Sequence, residues 1–421
     1  MNNRFVGIFL AWFFIDVYFF QSIKTLTAGI APNMAWAIQT SYWAVELALA
    51  ALLYYVIKNR HQTDTQGAHN KRYANIGMAL VVLAVVPKLV TVPILFVEDI
   101  FRFGATASSW IGHQFSHDGQ GTVFASRVPL VSAIALALSA IPFIGILYGI
   151  SRGKYNYRVH KVTLEFDHLP DAFDGFKITQ LSDVHAGSFD NAKAVKKGIA
   201  LANAQHSDII VFTGDMVNNV ATEMEPWVDV FAELKAPMGK YSILGNHDYG
   251  DYVHWKSADA KAANLLKLEE IHAATGFKLL KNDGLMLEKG EEKIALLGVE
   301  NWGQRGFAQY GDLQLAQSSV DPHSFKILLS HDPSHWHGEV IPGEHNIQLM
   351  LAGHTHGMQF GIEMFGWKWS PSKYIYPQWA GIYENNQQFL YVNRGFGFLG
   401  FPGRVGIMPE ISVITLKKKR P

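Results

Sequence analysis

Five short motifs carry most of the chemistry in this chain: Asp183-Val184-His185, Gly214-Asp215, Gly245-Asn246-His247-Asp248, Ser330-His331-Asp332 and Gly353-His354-Thr355-His356-Gly357. They span about 175 residues, and each follows an apolar, β-prone run that places it at the C-terminal end of a strand. Together they offer carboxylate, amide oxygen and imidazole, the mixture that divalent Mn, Fe and Zn accept. The donors suffice for two ions, and a pair of ions about 3.5–4 Å apart is a general device for in-line attack on phosphorus. Asp215 is the obvious bridge, because one carboxylate has two oxygens and Gly214 permits a tight strand-to-loop turn. In an extended strand His354 and His356 would share a face; Gly353 and Gly357 give the backbone freedom to bend, which would let the two rings reach different ions.

Such loops need a sheet behind them. From about residue 161, apolar runs at 177–181, 209–212 and 241–244 alternate with helix-like stretches at 192–205 and 223–234. This βαβαβ rhythm favours right-handed crossovers and a sheet whose strand ends share one edge, where open α/β sheets bind ligands. Later strand-like runs, at 293–300, 325–330, 347–352, 388–393 and 411–417, have few helical stretches between them. Two packed sheets flanked by helices account for both halves.

In their order, the five motifs resemble those of the calcineurin-like metallophosphoesterase superfamily, over about residues 160–418 and nothing before them. The resemblance implies an α/β domain built as an α-β-β-α layered sandwich. It implies that Asp183, His185 and His356 hold one divalent ion, and that Asn246, His331 and His354 hold the other. It makes His247 the group that protonates the leaving oxygen or steadies charge on the transferring phosphoryl group, with Asp248 orienting its ring. The implied reaction is attack of a metal-bridging hydroxide on a phosphodiester, phosphomonoester or pyrophosphate.

The N-terminal third has a different composition. Hydrophobic residues make up 49% of the chain and charged ones 17%, below the roughly 25% typical of soluble domains. The apolar excess lies in four segments, at about 5–23, 34–57, 75–97 and 128–150, each near the roughly 20 residues that cross a bilayer. The first also has features of a signal peptide, with Arg4 before it, but Asp16 inside it and the later spans favour a retained helix. The expected organisation is an all-α transmembrane four-helix domain over 1–151, a linker over 152–160 and a catalytic domain over 161–421. Lys58, Arg60, Lys71 and Arg72 in one loop, and Arg152, Lys154, Arg158 and Lys161 after the last span, place the catalytic domain in the cytoplasm. Asp16, Glu46 and Lys88 lie within spans, where a charge is a functional suspect or one half of an internal pair. Pro87 and Pro93 are expected to kink the third span, and His113, His117 and Asp118 fall in the loop after it.

Equal numbers of basic and acidic residues, 36 each, give no general attraction to nucleic acid, and the absence of Cys excludes disulfides and thiol chemistry. The substrate clue lies after His356, where Phe360, Phe365, Trp367, Trp369, Tyr374, Tyr376, Trp379 and Tyr383 are interrupted by Lys368 and Lys373. Trp, Tyr and Lys favour the headgroup level of a bilayer. Trp367 and Trp369 are therefore candidates for binding an amphiphilic, lipid or lipid-linked ester; packing of these rings in the core is the competing reading. Arg394, at a strand end, is suited to a phosphate or to a structural salt bridge. Soluble nucleotides or phosphoproteins are the alternative substrates. A non-enzymatic membrane sensor would leave a complete ligand set unused.

Overall fold

The apolar first third folds as helices: α1 (Asn3–Thr27), α2 (Pro32–Asn59), α3 (Ala68–Val85), α4 (Lys88–Phe115) and α5 (Pro129–Ser151). These come from a computed structural model of the protein, which describes residues 3–59, 68–115, 123–304, 306–343 and 345–420. Arg60, His117 and Asp118 lie outside the described residues. The chain divides into two units, Met1–Tyr148 and Gly149–Pro421.

Among the described residues, three stretches are long and apolar enough to cross a membrane: Phe9–Thr27, Asn75–Phe115 and Pro129–Ser151. The expected span at 75–97 is not one helix. It breaks between Val85 and Lys88, because Pro87 has no N–H for the preceding turn and disfavours helix in the residue before it. Pro93, by contrast, is accommodated inside α4. The ionisable residues pair with each other. Lys88 Nζ lies 2.6 Å from both Asp16 Oδ1 and Glu46 Oε1, and Arg127 Nη1 lies 3.0 Å from Glu98 Oε2. Pairing offsets the loss of hydration that an isolated charge would suffer there.

The second unit is built on two six-stranded sheets. The first has the order β1 (Arg158–Phe166), β14 (Glu410–Lys418), β2 (Lys177–Leu181), β3 (Ile209–Thr213), β4 (Lys240–Ile243) and β5 (Lys278–Leu279). The second has the order β12 (Gly381–Asn385), β13 (Gln388–Val392), β9 (Leu349–Ala352), β8 (Lys326–Leu329), β7 (Glu292–Gly298) and β6 (Asp283–Lys289). Strands β2 to β5 run parallel, as do β13, β9, β8 and β7. The central strands β3, β8 and β9 are buried at every residue, as continuous apolar runs covered on both faces should be. Strand β1 starts at Arg158, inside the stretch expected to be linker; it pairs with β14 as an edge strand whose exposed positions carry its charges.

Between the sheets lies a core of Ile178, Val211, Ile243, Leu296, Ile327, Leu351 and Ile414. Helices α6 (Ala192–Asn203), α7 (Val228–Ala232) and α8 (Ala258–Ala274) supply apolar side chains to the other face of the first sheet. Helix α9 (Leu313–Ser318) and the π-turn Trp336–Val340 cover the second sheet. The result is an α-β-β-α sandwich. Asn191, Ser257 and Asp312 cap α6, α8 and α9 by accepting a backbone N–H three residues on.

Candidate metal centre

Parallel neighbours bring their C-terminal ends together, so the loops after β2, β3 and β4 present Asp183, Asp215 and Asn246 side by side. The loops after β8 and β9 present His331 and His354. Gln180 ties the two edges, its Nε2 donating to Thr213 Oγ1 at 3.0 Å and to the Ala352 carbonyl at 2.8 Å. The loops turn sharply: Asp183, His185, Asp215, His354 and His356 all have left-handed φ, between 47° and 71°. Non-glycine residues adopt this region at a cost of about 1–3 kcal/mol each, and such strain collects where geometry serves function. Gly353 is needed for close approach, since a Cβ there would stand 2.3 Å from Asp183 Oδ2.

Two clusters of ligand-type atoms result, Asp183 with His185 and His356, and Asp215 with His331 and His354. In the first, His185 Nε2 lies 2.9 Å from His356 Nε2, and His356 Nε2 lies 3.2 Å from Asp183 Oδ1. In the second, His331 Nε2 lies 3.1 Å from Asp215 Oδ2 and 3.3 Å from His354 Nδ1, which faces Asn246 Oδ1 at 2.9 Å. Asp215 Oδ2 is also 3.5 Å from His185 Nε2, so this one oxygen touches a histidine of each cluster.

The outer hydrogen bonds decide which nitrogens point inward. His185 Nδ1 faces the Val217 carbonyl at 3.2 Å and His331 Nδ1 faces the Thr213 carbonyl at 2.7 Å. A carbonyl only accepts, so both Nδ1 atoms carry a proton and both Nε2 atoms face the centre. His354 is held the other way, with Nε2 2.8 Å from Tyr376 OH and Nδ1 inward. Asn246 Nδ2 donates to Tyr252 OH at 2.9 Å, which turns Oδ1 inward. Arg404 Nη2 stands 3.2 Å from His356 Nδ1. Several lone pairs converging on one point repel unless a cation lies between them, and this donor set fits divalent ions.

Without a cation at the centre, the two carboxylates draw a proton onto the His331 ring that faces them. Burial alone would lower the His331 imidazole, but Asp215 and Asp183 hold it up at about 10. Burial raises the Asp183 carboxyl to about 6 and, with Asp215 close by, Asp248 to about 7. Burial also lowers His185 to about 3 and His354 to about 4, leaving neutral rings with free lone pairs.

The other sequence candidates separate. His247 faces the same cavity; its Nδ1 donates to the Asn218 carbonyl at 2.6 Å, and its backbone N–H donates to Asp215 Oδ1 at 2.9 Å. Asp248 does not orient that ring. Its carboxylate accepts the backbone N–H groups of Gly245 at 2.8 Å, Asp215 at 2.9 Å and Met216 at 2.8 Å, which staples the β3 and β4 loops together. Arg394 is not available to a phosphate: it is buried between Glu410, at 2.5 Å, and Glu363, at 2.6 Å. Trp367 and Trp369 do not line the cavity; they sit on a two-stranded hairpin, β10 (Ile362–Met364) and β11 (Trp367–Trp369). Tyr376, Tyr252 and the Asn218 carbonyl were not singled out by the motifs as partners of His354, Asn246 and His247. Tyr376 carries a signal as one of the rings after His356, and Asn218 as a polar residue soon after Gly214-Asp215 that could line the pocket.

The cavity over the clusters is about 400 Å³. It is lined by His185, His247, His354, His356, Asp215 and Asn246 on the ligand side, and by Phe307, Met358, Ile375, Tyr376 and Leu399 among its other residues. A larger groove of about 840 Å³, beside Asn203, Lys235 and Gly239 at the start of β3 and β4, holds none of the motif residues.

Known proteins repeat both halves of this organisation. Residues 3–154 match the family described as "Probable Calcineurin-like phosphoesterase, transmembrane domain", and residues 176–358 match "Calcineurin-like phosphoesterase". Metallophosphoesterase YkuE of Bacillus subtilis (strain 168), itself uncharacterized, is 31% identical over 258 residues, 61% of this chain and 84% of that protein. A transmembrane protein with metallophosphoesterase domain from Danio rerio is 25% identical over 68% of this chain, which spans 63% of that protein. UDP-2,3-diacylglucosamine pyrophosphatase LpxG of Chlamydia trachomatis serovar D is 27% identical over 55% of this chain and 80% of its own. The chain belongs to the calcineurin-like metallophosphoesterases and is a membrane protein of that family.

Proposed function

We propose that this phosphoesterase cleaves a phosphodiester, phosphomonoester or pyrophosphate bond in a lipid or lipid-linked substrate at the cytoplasmic face of a membrane. One observation carries the reading: the cavity lined by the cation-type ligands is also lined by Phe307, Met358, Ile375 and Leu399, alongside Thr355, Ser372 and Tyr376. Such a site suits a phosphate joined to an apolar group better than a free nucleotide. The name of the LpxG relative, a pyrophosphatase acting on a diacylated sugar nucleotide, is in keeping with that class.

Asp183, His185 and His356 would hold one divalent ion, Asn246, His331 and His354 a second, and Asp215 both. When bound, the ions supply a nucleophile at neutral pH and offset charge on the phosphoryl oxygens. Asp183 accepts the His354 N–H on both oxygens at 3.0 Å, which couples the two strand ends. His247, with Nδ1 committed to the Asn218 carbonyl, has Nε2 left to give a proton or hydrogen bond to the leaving oxygen. The basic residues after the second and last spans orient the chain by the positive-inside rule.

Hydrolysis by detergent-purified protein with Mn, on matched esters with and without an acyl tail, tests the reading. A preference of about tenfold or more for the tailed ester is expected, the worth of a few buried methylenes. Equal rates would reassign the enzyme to soluble phosphate esters.

A further inference from the structure

The hairpin β10–β11 leaves large apolar side chains in the open. Its register pairs Ile362 with Trp369, Glu363 with Lys368 and Met364 with Trp367. Side chains alternate along a strand, so Ile362, Met364, Trp367 and Trp369 share one face, and Glu363 and Lys368 share the other. In a soluble hairpin on a domain surface the apolar face turns inward. Here it is the charged side that is tied to the domain: Glu363, although exposed, reaches Arg394 Nη2 at 2.6 Å, and half-buried Lys368 donates to the Ala380 carbonyl over the rings of Trp379 and Tyr383. Three of the four apolar residues are left in the open, Ile362 44%, Met364 56% and Trp367 59% exposed, while Trp369 is half-buried. A slip of one residue would reverse the two faces, so this register is maintained against the hydrophobic effect.

The tip adds a second, independent cost. Phe365 and Gly366 both have positive φ, at 52° and 80°, in a two-residue turn that normally takes Asn-Gly. Phe in that conformation is unusual, and this one is 99% exposed, with no packing to compensate. Beside the hairpin, exposed Tyr374 carries the ammonium of Lys373 5.2 Å from its ring centroid. Aromatic rings with a flanking Lys are the side chains that settle at the headgroup level of a bilayer. The same chain holds membrane-spanning stretches, and only the residues between Ser151 and Arg158 separate α5 from β1. The hairpin is inserted between Met358 and Ile375, which both line the metal cavity.

We infer that the hairpin Ile362–Trp369 is a membrane-docking element, which dips its apolar face and Phe365 into the lipid surface and sets the mouth of the metal cavity at headgroup level. For its catalytic consequence this inference rests on the lipid-ester reading above; the docking itself does not.

The test exploits the absence of cysteine. Full-length F365C carrying an environment-sensitive fluorophore is reconstituted in vesicles containing anionic lipid. The control is Glu291→Cys, in the β6–β7 turn at the start of β7. Quenching of the Phe365 label by nitroxide-bearing lipids, with protection from aqueous iodide, is expected; the Glu291 label stays open to iodide. A Phe365 label open to iodide and untouched by the lipid quencher overturns the docking. Protection from both quenchers overturns it too, in favour of a contact with a second protein chain. In the same vesicles, M364D/F365D is expected to lose about tenfold in kcat/KM on the lipid-tailed ester, with hydrolysis of the tail-less ester unchanged. A label in lipid alongside equal rates on both esters supports the docking and removes the lipid-ester reading. A label in water alongside a strong tail preference does the reverse.

Discussion

Asp215→Asn is expected to lower hydrolysis of a simple aryl phosphodiester by about a thousandfold or more, the several kcal/mol that ions at a phosphoryl centre contribute. The effect is large because Asp215 Oδ2 serves both clusters, at 3.5 Å from His185 and 3.1 Å from His331. An amide of the same shape keeps an acceptor for the His247 N–H, now made to Oδ1 at 2.9 Å, so the loops should hold their form. What is lost is the negative charge that would serve a cation at each cluster. The check is kcat together with the thermal unfolding midpoint of the ion-free protein. Large loss of kcat with a midpoint within a few degrees agrees with the bridging role; near-normal turnover would remove Asp215 from the centre.

Arg394→Ala is expected to destabilise the catalytic unit by about 3–5 kcal/mol, because breaking a buried pair leaves the other charge uncompensated. Glu410 is fully buried and accepts from Arg394 Nη1 at 2.5 Å, Tyr391 OH at 2.7 Å and Ser412 Oγ at 2.6 Å. Burial alone would raise its carboxyl, but Arg394, with His160, holds it down at about 2. A carboxyl depressed in the folded state contributes stability above its unfolded value, near 4.5, and loses it as pH falls toward 2. Without Arg394 the effect of burial is unopposed and Glu410 takes up a proton more easily. The deficit of the variant should therefore be larger at pH 7 than at pH 4.5. Denaturant titration followed by tryptophan fluorescence at the two pH values measures it. Unchanged stability with a raised KM would return Arg394 to the substrate.

These two residues show what could be read in the sequence and what could not. Asp215 was legible because Gly-Asp follows the β-prone run Ile209-Ile210-Val211-Phe212 and stands in order with four other strand-end motifs; alone it would mean little. The same logic located Asp183, Asn246, His331 and His354 at strand ends. Arg394 sits in an equally plain strand-end motif, yet its partner Glu410 belongs to β14, which enters the first sheet between β1 and β2 rather than joining the later strands. Long-range pairing of that kind has no local signal. Asp248 misled for a related reason: adjacency to His247 suggested a ring partner, while its carboxylate turns back to the backbone of its own loop and of the β3 loop. Helix α8 escaped because only Leu268, Ile271 and His272 of its residues are buried, leaving too faint an apolar stripe. The composition of residues 360–383 pointed to a bilayer, but which rings face the cavity and which face outward depends on the hairpin register. Left-handed φ at Asp183, His185, Asp215, His354 and His356 is likewise a property of the assembled loops.

The central claim is that two ions act together at these loops. Protein stripped of metal by chelation and titrated with Mn, with bound metal and hydrolysis of the same phosphodiester recorded at each step, measures it directly. Activity should be absent in the stripped protein and reach its plateau as the second ion per chain binds. A plateau at one ion per chain, or hydrolysis that persists after chelation, would contradict a dinuclear centre.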